Sequence, residues 1–169
     1  MLNDAIAIFT TGGTIDKIYF DDCSEYQVGE PQIGNLLIEA NVTHKYEITS
    51  LLRKDSLELT DTDRGMICQA VKSCPQSRII VTHGTDTMIT TAKILKQIMG
   101  KTIVLTGAMQ PAKFRFTDAV FNIASAFTAV QLLPAGVYIA MNGTIFDPDQ
   151  TRKNRKLNRF EVSEETRNG

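Results

Sequence analysis

The stretch IAIFTTGGTIDK, residues 6–17, joins an apolar run to a turn of small polar residues. Its first four residues are all apolar, as in strands of parallel sheets that are buried on both faces. Three threonines and two glycines follow at positions 10–14. Glycine adopts positive φ and lets another backbone approach closely, while threonine offers a hydroxyl for hydrogen bonding. The stretch therefore predicts a buried strand that ends in a ligand-binding turn.

Further apolar runs alternate with segments of helical period along the rest of the chain. The predicted strands cover residues 5–10, 45–52, 78–82, 102–106 and 136–141, and the predicted helices cover residues 32–40, 61–74, 87–99 and 117–133. Such alternation is typical of βαβ units around a parallel sheet. We predict an α/β fold with an open, mostly parallel five-stranded sheet and helices on both faces, a flavodoxin-like or Rossmann-like three-layer sandwich.

Small polar turns follow four of the five predicted strands. Their sequences are TTGGT, THGTDT, TGAMQP and MNGT. In an open parallel sheet these turns meet at the carboxyl ends of the strands, where ligands of this fold class bind. Glycine is also common in ordinary turns, so each turn taken alone leaves a purely structural role open. TTGGT fits neither GxGxxG nor GxxxxGK[ST], which makes nucleotide binding the weaker interpretation.

Composition places the chain among ordinary globular proteins. With 169 residues, 43% apolar content and 22% charged content, it fits one domain. The net charge of −1 gives no overall attraction to nucleic acid or to anionic membranes. No apolar run approaches the roughly 20 residues of a membrane span and the first residues do not resemble a signal peptide, so we expect a cytoplasmic protein. Cys23, Cys68 and Cys74 form no CxxC pair, and we expect no metal site.

Five motifs resemble those of the bacterial-type L-asparaginases and occur in the same order: TTGGTID, SEYQVG, KDSLELT, VTHGTDTMITTA and LTGAMQP. The resemblance spans nearly the whole chain but only the N-terminal domain of those enzymes. It implies that residues 1–169 form a single N-terminal-type domain without the family's C-terminal domain, with a lid-like loop at 14–30 and a basic tail at 150–169. It implies no metal or organic cofactor.

The resemblance also assigns site residues. Matched onto the motifs, the family's catalytic groups fall on Thr14 (the nucleophile), Tyr26, Thr85, Asp86 and Lys153, and its substrate-binding groups fall on Gly13, Ser56, Glu58 and Gly84. Amide hydrolysis needs a nucleophile, a proton acceptor and oxyanion donors. From the residues alone, Thr14 also suits a tight turn, Tyr26 a packing position and Asp86 a helix N-cap. His83 is one of only two histidines, and we expect it to have a structural role.

The resemblance implies an amidohydrolase that converts the side-chain amide of L-asparagine, or a related amide, into the acid and ammonia. An alternative is a small-ligand binding or regulatory module that keeps this fold without turnover, because in the family the C-terminal domain of a neighbouring subunit completes the active site. A homodimer or higher homo-oligomer is expected to replace that domain. The basic residues of TRKNRKLNR, residues 151–159, favour a solvated face or a subunit contact over nucleic-acid binding, since no aromatic side chains interleave them.

Overall fold

The computed structural model describes residues 5–163. This part of the chain contains ten strands and four α-helices. The strands are β1 (Ile6–Gly12), β2 (Lys17–Phe20), β3 (Glu25–Val28), β4 (Tyr46–Lys54), β5 (Arg78–Thr82), β6 (Thr102–Thr106), β7 (Gly136–Met141), β8 (Thr144–Phe146), β9 (Thr151–Asn154) and β10 (Arg159–Val162). The helices are α1 (Ile33–Glu39), α2 (Asp61–Ser73), α3 (Met88–Leu95) and α4 (Ala119–Leu132). Each of the predicted strands and helices is therefore present.

The central sheet has six strands in the order β4-β1-β5-β6-β7-β8. The first five are parallel, which confirms the predicted open, mostly parallel α/β sheet. The predicted number of strands was wrong, because β8 adds an antiparallel edge strand beside β7. Asn142 and Gly143 have φ values of +52° and +69°, which suit the two-residue turn of a tight hairpin. The MNGT turn therefore reverses the chain into β8 and does not open a βα loop.

Alternate residues of the buried strands face opposite helical layers. In β1, Ala7 and Phe9 belong to the core under α2 and α3, whereas Ile6 and Ile8 belong to the core under α1 and α4. The same alternation recurs in the other central strands, because successive strand side chains point to opposite faces. The continuous apolar runs of the sequence therefore produce the predicted three-layer sandwich.

The start of α2 shows how local chemistry fixes a helix boundary. The Thr60 hydroxyl accepts a hydrogen bond from the Asp63 N–H at 3.2 Å, and the Asp63 carboxylate accepts one from the Thr60 N–H at 2.9 Å. This capping box satisfies donors that the first helical turn leaves unpaired. None of the helices found between residues 5 and 163 has both the length and the apolar character that crossing a membrane requires.

Two hairpins stand apart from the central sheet. Segment 14–30, predicted as a loop, contains the antiparallel pair β2–β3, and segment 150–169, predicted as a tail, contains the pair β9–β10. Phe160 of β10 is 3% exposed and packs near Phe146, while its N–H donates to Asn142 Oδ1 at 2.8 Å. The second hairpin is thus anchored in the core. Residues 1–4 and 164–169 of the predicted domain lie outside the described part.

Candidate functional site

The strand order reverses between β1 and β5, since β4 follows β1 on one side and the remaining strands follow on the other. Open α/β sheets bind ligands at such a switch point, outside the carboxyl ends of the strands. The TTGGT turn after β1 and the THGTDT turn after β5 meet there. A side-chain carbon on Gly13 would fall 2.5 Å from the Gly84 Cα, and Gly13 has a φ of +90°. Both constraints exclude any other residue at Gly13 without a backbone shift.

Ser56 packs against Gly84. A side-chain carbon on Gly84 would fall 2.6 Å from the Ser56 Cβ, and the Ser56 residue is 1% exposed. The Thr87 hydroxyl donates to the Ser56 carbonyl at 2.8 Å, which ties the segment to the start of α3. Glu58 lies in the same short 3-10 turn and is exposed. The structure thus brings together three segments that the sequence assigned to one site.

Lys153 on β9 connects the second hairpin to this place. Its Nζ atom lies 2.8 Å from Thr85 Oγ1 and 2.8 Å from Asp86 Oδ1, and it donates to both. Thr85 is buried, and the Lys153 side chain is 13% exposed. Charge-assisted hydrogen bonds of this kind are shorter and stronger than neutral ones. A cation therefore polarises the Thr85 hydroxyl, and a carboxylate compensates the cation. We call the surface formed by Gly13, Ser56, Gly84, Thr85 and Lys153 the switch-point crevice.

Asp86 has a second cationic partner that the sequence analysis missed. Arg155 Nη1 lies 2.8 Å from Asp86 Oδ1, although the Arg155 side chain is 66% exposed. The N-cap interpretation of Asp86 was wrong, because α3 begins one residue later than that role requires and Thr87 occupies the cap position. Arg155 is the first residue of the turn that follows β9, close in the chain to Lys153, and no local pattern in the sequence indicates its contact with Asp86.

The first hairpin carries Tyr26 over the loop that follows β6. The Tyr26 ring centroid lies 5.3 Å from that of Tyr19 and 5.5 Å from that of Phe114, and the residue is half-exposed. Lys17 at the base of the hairpin forms an ion pair with Asp55 at 3.0 Å, next to Ser56 in the chain. The described ring contacts of Tyr26 are with other aromatic side chains, so its catalytic role stays a prediction.

His83 is a buried structural group at the floor of the crevice. Its Nδ1 lies 2.7 Å from the Gly84 carbonyl oxygen and its Nε2 lies 2.8 Å from Thr91 Oγ1. Because a carbonyl only accepts, we assign the proton to Nδ1, and Nε2 accepts from the Thr91 hydroxyl. Burial lowers the pKa of His83 to about 4, so the ring is neutral at neutral pH. This neutral ring fixes the Gly84 carbonyl.

Asp16 is a buried acid next to the TTGGT turn. The residue is 2% exposed, and its Oδ1 accepts a hydrogen bond from the Gln32 N–H at 2.9 Å. Its own carbonyl accepts from the Gly29 N–H at 2.9 Å, so Asp16 closes the base of the first hairpin. Burial raises the pKa of Asp16 from 3.8 to about 7, although the Gln32 N–H and the charge of Arg53 act in the opposite direction.

Replacing Asp16 by asparagine is expected to stabilise the protein above pH 7 and to change its stability little near pH 4. In the unfolded wild type Asp16 releases its proton near pH 3.8, whereas in the folded state it keeps that proton until about pH 7. The free energy of unfolding therefore falls as the pH rises between these two values. The difference from 3.8 to about 7 corresponds to about 4 kcal/mol, at about 1.4 kcal/mol per pKa unit. Denaturant melts of the wild type and Asp16→Asn from pH 4 to pH 8 measure the difference. Asp22→Asn, in the exposed hairpin turn, is the control; parallel curves for Asp16→Asn and the wild type would contradict the expectation.

Residues 5–166 match the family model described as Asparaginase, N-terminal. The chain belongs to the asparaginase family. L-asparaginase 2 of Escherichia coli (strain K12) is 29% identical over 161 residues, which cover 88% of this asparaginase-family chain and 46% of that protein. The glutaminase-asparaginase of Acinetobacter glutaminasificans is 29% identical over 155 residues, which cover 83% of the chain and 47% of that protein.

Solved asparaginase structures share the fold. The thermostable L-asparaginase from Thermococcus kodakarensis superposes with a TM-score of 0.81 at 26% identity, over 94% of this chain and 51% of that one. A probable cytoplasmic L-asparaginase from Campylobacter jejuni gives a TM-score of 0.79 at 25% identity, over 94% and 53% of the two chains. This asparaginase-family chain thus spans about half the length of these four proteins.

Proposed function

We propose that the chain is an asparaginase-like amidohydrolase that converts L-asparagine, or a related amide, and water into the acid and ammonia. The observation that carries the proposal is the position of Lys153 Nζ, at 2.8 Å from both Thr85 Oγ1 and Asp86 Oδ1. A polarised hydroxyl at a switch-point crevice suits acyl transfer, and Thr14 in the adjoining turn supplies a second hydroxyl. Membership of the asparaginase family supports the same chemistry.

In the first step, the Thr14 hydroxyl oxygen adds to the carbonyl carbon of the substrate amide. The carbon–nitrogen bond breaks, and the hydroxyl proton leaves on the nitrogen as part of ammonia. Thr85 relays that proton, because its oxygen already accepts a hydrogen bond from Lys153 and its own proton is free to point elsewhere. The product of this step is an ester between Thr14 and the substrate acyl group.

In the second step, water adds to the ester and the bond to Thr14 oxygen breaks. Thr85 orients the water, one water proton returns to the Thr14 oxygen, and the acid leaves. The positive charge of Lys153 stabilises negative charge that develops on the attacking oxygen, while Asp86 holds the ammonium group in place. No residue of the chain is consumed, so the net reaction is amide plus water to acid plus ammonia.

The turns around the two hydroxyls suit an amino-acid amide. Gly13 and Gly84 let their two turns and Ser56 pack closely together, and Ser56 contributes a hydroxyl in contact with Gly84. Glu58, exposed on the same turn, offers a carboxylate to an α-ammonium group. In this proposal the first hairpin moves Tyr26 from its contacts with Tyr19 and Phe114 to a position over the bound substrate. In this proposal Ser56, Glu58 and Tyr26 bind the substrate, while Thr14, Thr85 and Lys153 act on the amide bond.

Ammonia release from L-asparagine, D-asparagine and L-glutamine tests the proposal. We expect release from one of them, with competition by the corresponding acid, because product and substrate share the same crevice. The melting temperature measured with L-aspartate serves as an independent readout of binding. No ammonia from any of the three, together with an aspartate-dependent rise in melting temperature, would instead support the binding module that the sequence left as the alternative.

We also propose that the chain forms a homodimer or higher homo-oligomer and works in the cytoplasm. Helix α4 has no charged residue among its fourteen positions, and its outer face exposes Val120, Phe121 and Leu132 at 51%, 63% and 78%. Apolar patches on a soluble protein mark interaction surfaces. Cys23, Cys68 and Cys74 are all free thiols, which fits a reducing compartment. Cell fractionation that recovers the chain outside the cytoplasm would contradict the location.

Replacing Phe121 by glutamate is expected to lower the oligomeric mass to that of a monomer. A charge on the outer face of α4 opposes burial against a second apolar surface, because a buried, unpaired carboxylate is costly. Light scattering coupled to size exclusion measures the mass, and Glu39→Gln on α1 provides a surface control. If the wild type is already a monomer at assay concentration, the proposed assembly is wrong.

A further inference from the structure

Helix α2 and the end of α3 flank a cavity that is open to solvent on one side and contains none of the residues assigned to the switch-point crevice. Its volume is about 580 Å³, within the range of sites for small molecules. Arg64, Cys68 and Lys72 line it from α2, and their spacing of four residues places them on one face of that helix. Ile98 and Lys101 line it from the segment after α3.

Arg64 is the unusual residue of this cavity. It is 7% exposed, and its Nη1 donates to the Leu59 carbonyl at 2.9 Å. Its Nε atom is buried and has no hydrogen-bond partner within residues 5–163. The nearest carboxylate, Asp61, lies 3.7 Å from Nη1 and is fully exposed to solvent. The guanidinium carries five N–H donors. Its described partners are one backbone carbonyl and one solvent-exposed carboxylate.

The protein itself compensates the Arg64 charge poorly. A buried cation is costly unless it is paired and its donors are satisfied. An exposed ion pair such as that with Asp61 contributes only about 0–1 kcal/mol. A planar guanidinium matches the oxygen atoms of a carboxylate or a phosphate, and such a group in the cavity would supply the opposite charge to the part of the guanidinium that lines it. The state of Arg64 thus indicates an anionic ligand.

The remaining lining residues define the rest of that ligand. Lys72 and Lys101 add two positive charges, whereas Asp61 is the one acid among the lining residues. Lys101 Nζ already donates to the carbonyls of Cys74 and Gln76. Lys101 is therefore expected to attract an anion through its positive charge and not through a further hydrogen bond. Ile94, Ile98 and Met99 give the cavity an apolar wall. A ligand that satisfies this lining has an anionic head and an apolar portion.

We propose that the cavity between α2 and α3 binds a small organic anion, with Arg64 binding its carboxylate or phosphate group, the charges of Lys72 and Lys101 favouring an anion, and the wall of Ile94, Ile98 and Met99 contacting its apolar portion. This site is separate from the proposed amide hydrolysis. Its occupation does not require turnover, and its test does not use activity.

Cys68 provides a reporter inside the cavity. It is partly buried there, whereas Cys23 is exposed in the first hairpin, so each protein molecule contains its own control thiol. Iodoacetamide labelling followed by mass spectrometry gives the labelling rate of each cysteine. We expect phenyl phosphate or phenylacetate to slow labelling of Cys68 at least threefold and to leave Cys23 unchanged. Phenol, which lacks the anionic group, and inorganic phosphate, which lacks the apolar portion, are expected to protect less.

Variants separate this site from a general charge effect. Lys72→Gln is expected to raise the phenyl phosphate concentration that gives half-maximal protection of Cys68 about threefold, because one of the charges that favour the anion is lost. Lys113→Gln removes an exposed lysine outside the cavity and is expected to leave protection unchanged. Stronger protection by phenyl phosphate than by phenylacetate identifies a phosphate ligand, and the reverse order identifies a carboxylate. Equal slowing of Cys68 and Cys23, or equal effects of the two lysine variants, would overturn the proposal.

Discussion

Replacing Thr14 by alanine is expected to lower the rate of ammonia release by at least about a thousandfold, as removal of a nucleophile does in other acyl-transfer enzymes. The substitution removes one hydroxyl from a partly buried residue at the start of a 3-10 turn and leaves the backbone unchanged. Thr85 cannot take over the attack in the same way, because its oxygen is already bound by Lys153. A stopped ammonia assay with purified protein measures the loss.

The matched variant is Thr14→Ser, which keeps a hydroxyl on the same turn. We expect it to retain far more activity than Thr14→Ala, since the nucleophilic oxygen is still present. The melting temperatures of both variants check the fold, and the aspartate-induced rise in melting temperature checks binding. If Thr14→Ala still releases ammonia at the wild-type rate, Thr14 is not the nucleophile and Thr85 becomes the candidate.

Replacing Lys153 by methionine is expected to lower turnover by roughly 10²–10⁴-fold, because it removes the partner of Thr85, the proposed proton relay, and a positioned proton-transfer group usually contributes that much. Methionine keeps the length and much of the apolar stem of lysine but removes the ammonium group that lies 2.8 Å from Thr85 Oγ1 and Asp86 Oδ1. Arg155 still pairs with Asp86 in this variant, so the carboxylate does not lose every partner. The expected loss therefore reports on the contact with Thr85.

Arg155→Met is the control for that experiment. Arg155 contacts the same Asp86 oxygen as Lys153, also at 2.8 Å. Unlike Lys153, however, it is largely exposed, and no contact between Arg155 and Thr85 is described. We expect at most a few-fold change in kcat for Arg155→Met. Equal losses in the two variants would show that pairing of Asp86, and not polarisation of Thr85, controls the rate.

The central elements were predictable because their signals are strong and local. Strands such as β5 and β6 are short, rich in apolar residues and bounded by turn residues, and α2 carries its own capping box. The two hairpins and β8 were not predicted, since their strands are only three or four residues long, too short for an alternating pattern to be distinguished. Asn142-Gly143 was the available signal for β8, but its glycine was interpreted as part of a binding turn.

Some residues of the candidate site were likewise predictable from the sequence, whereas the contacts of others depend on tertiary packing. Gly13, Ser56 and Gly84 lie in motifs directly after strands, so strand order alone brings them to one edge of the sheet. The contact of Lys153 with Thr85 joins residues 68 positions apart and depends on the packing of β9 and β10, which no local pattern specifies. The burial of Asp16 depends on tertiary packing for the same reason.

The two hairpins are held to the core by different contacts, so we expect them to open locally at different free energies. The Lys153 hairpin has Phe160 in the core and a hydrogen bond to Asn142, so releasing it requires part of the core to open. The Tyr26 hairpin exposes Tyr19, Phe20 and Tyr26, and segments with few buried apolar contacts open at low free energy. We therefore expect the Tyr26 hairpin to open locally, within the lifetime of the folded core, while Lys153, Thr85 and Asp86 stay assembled.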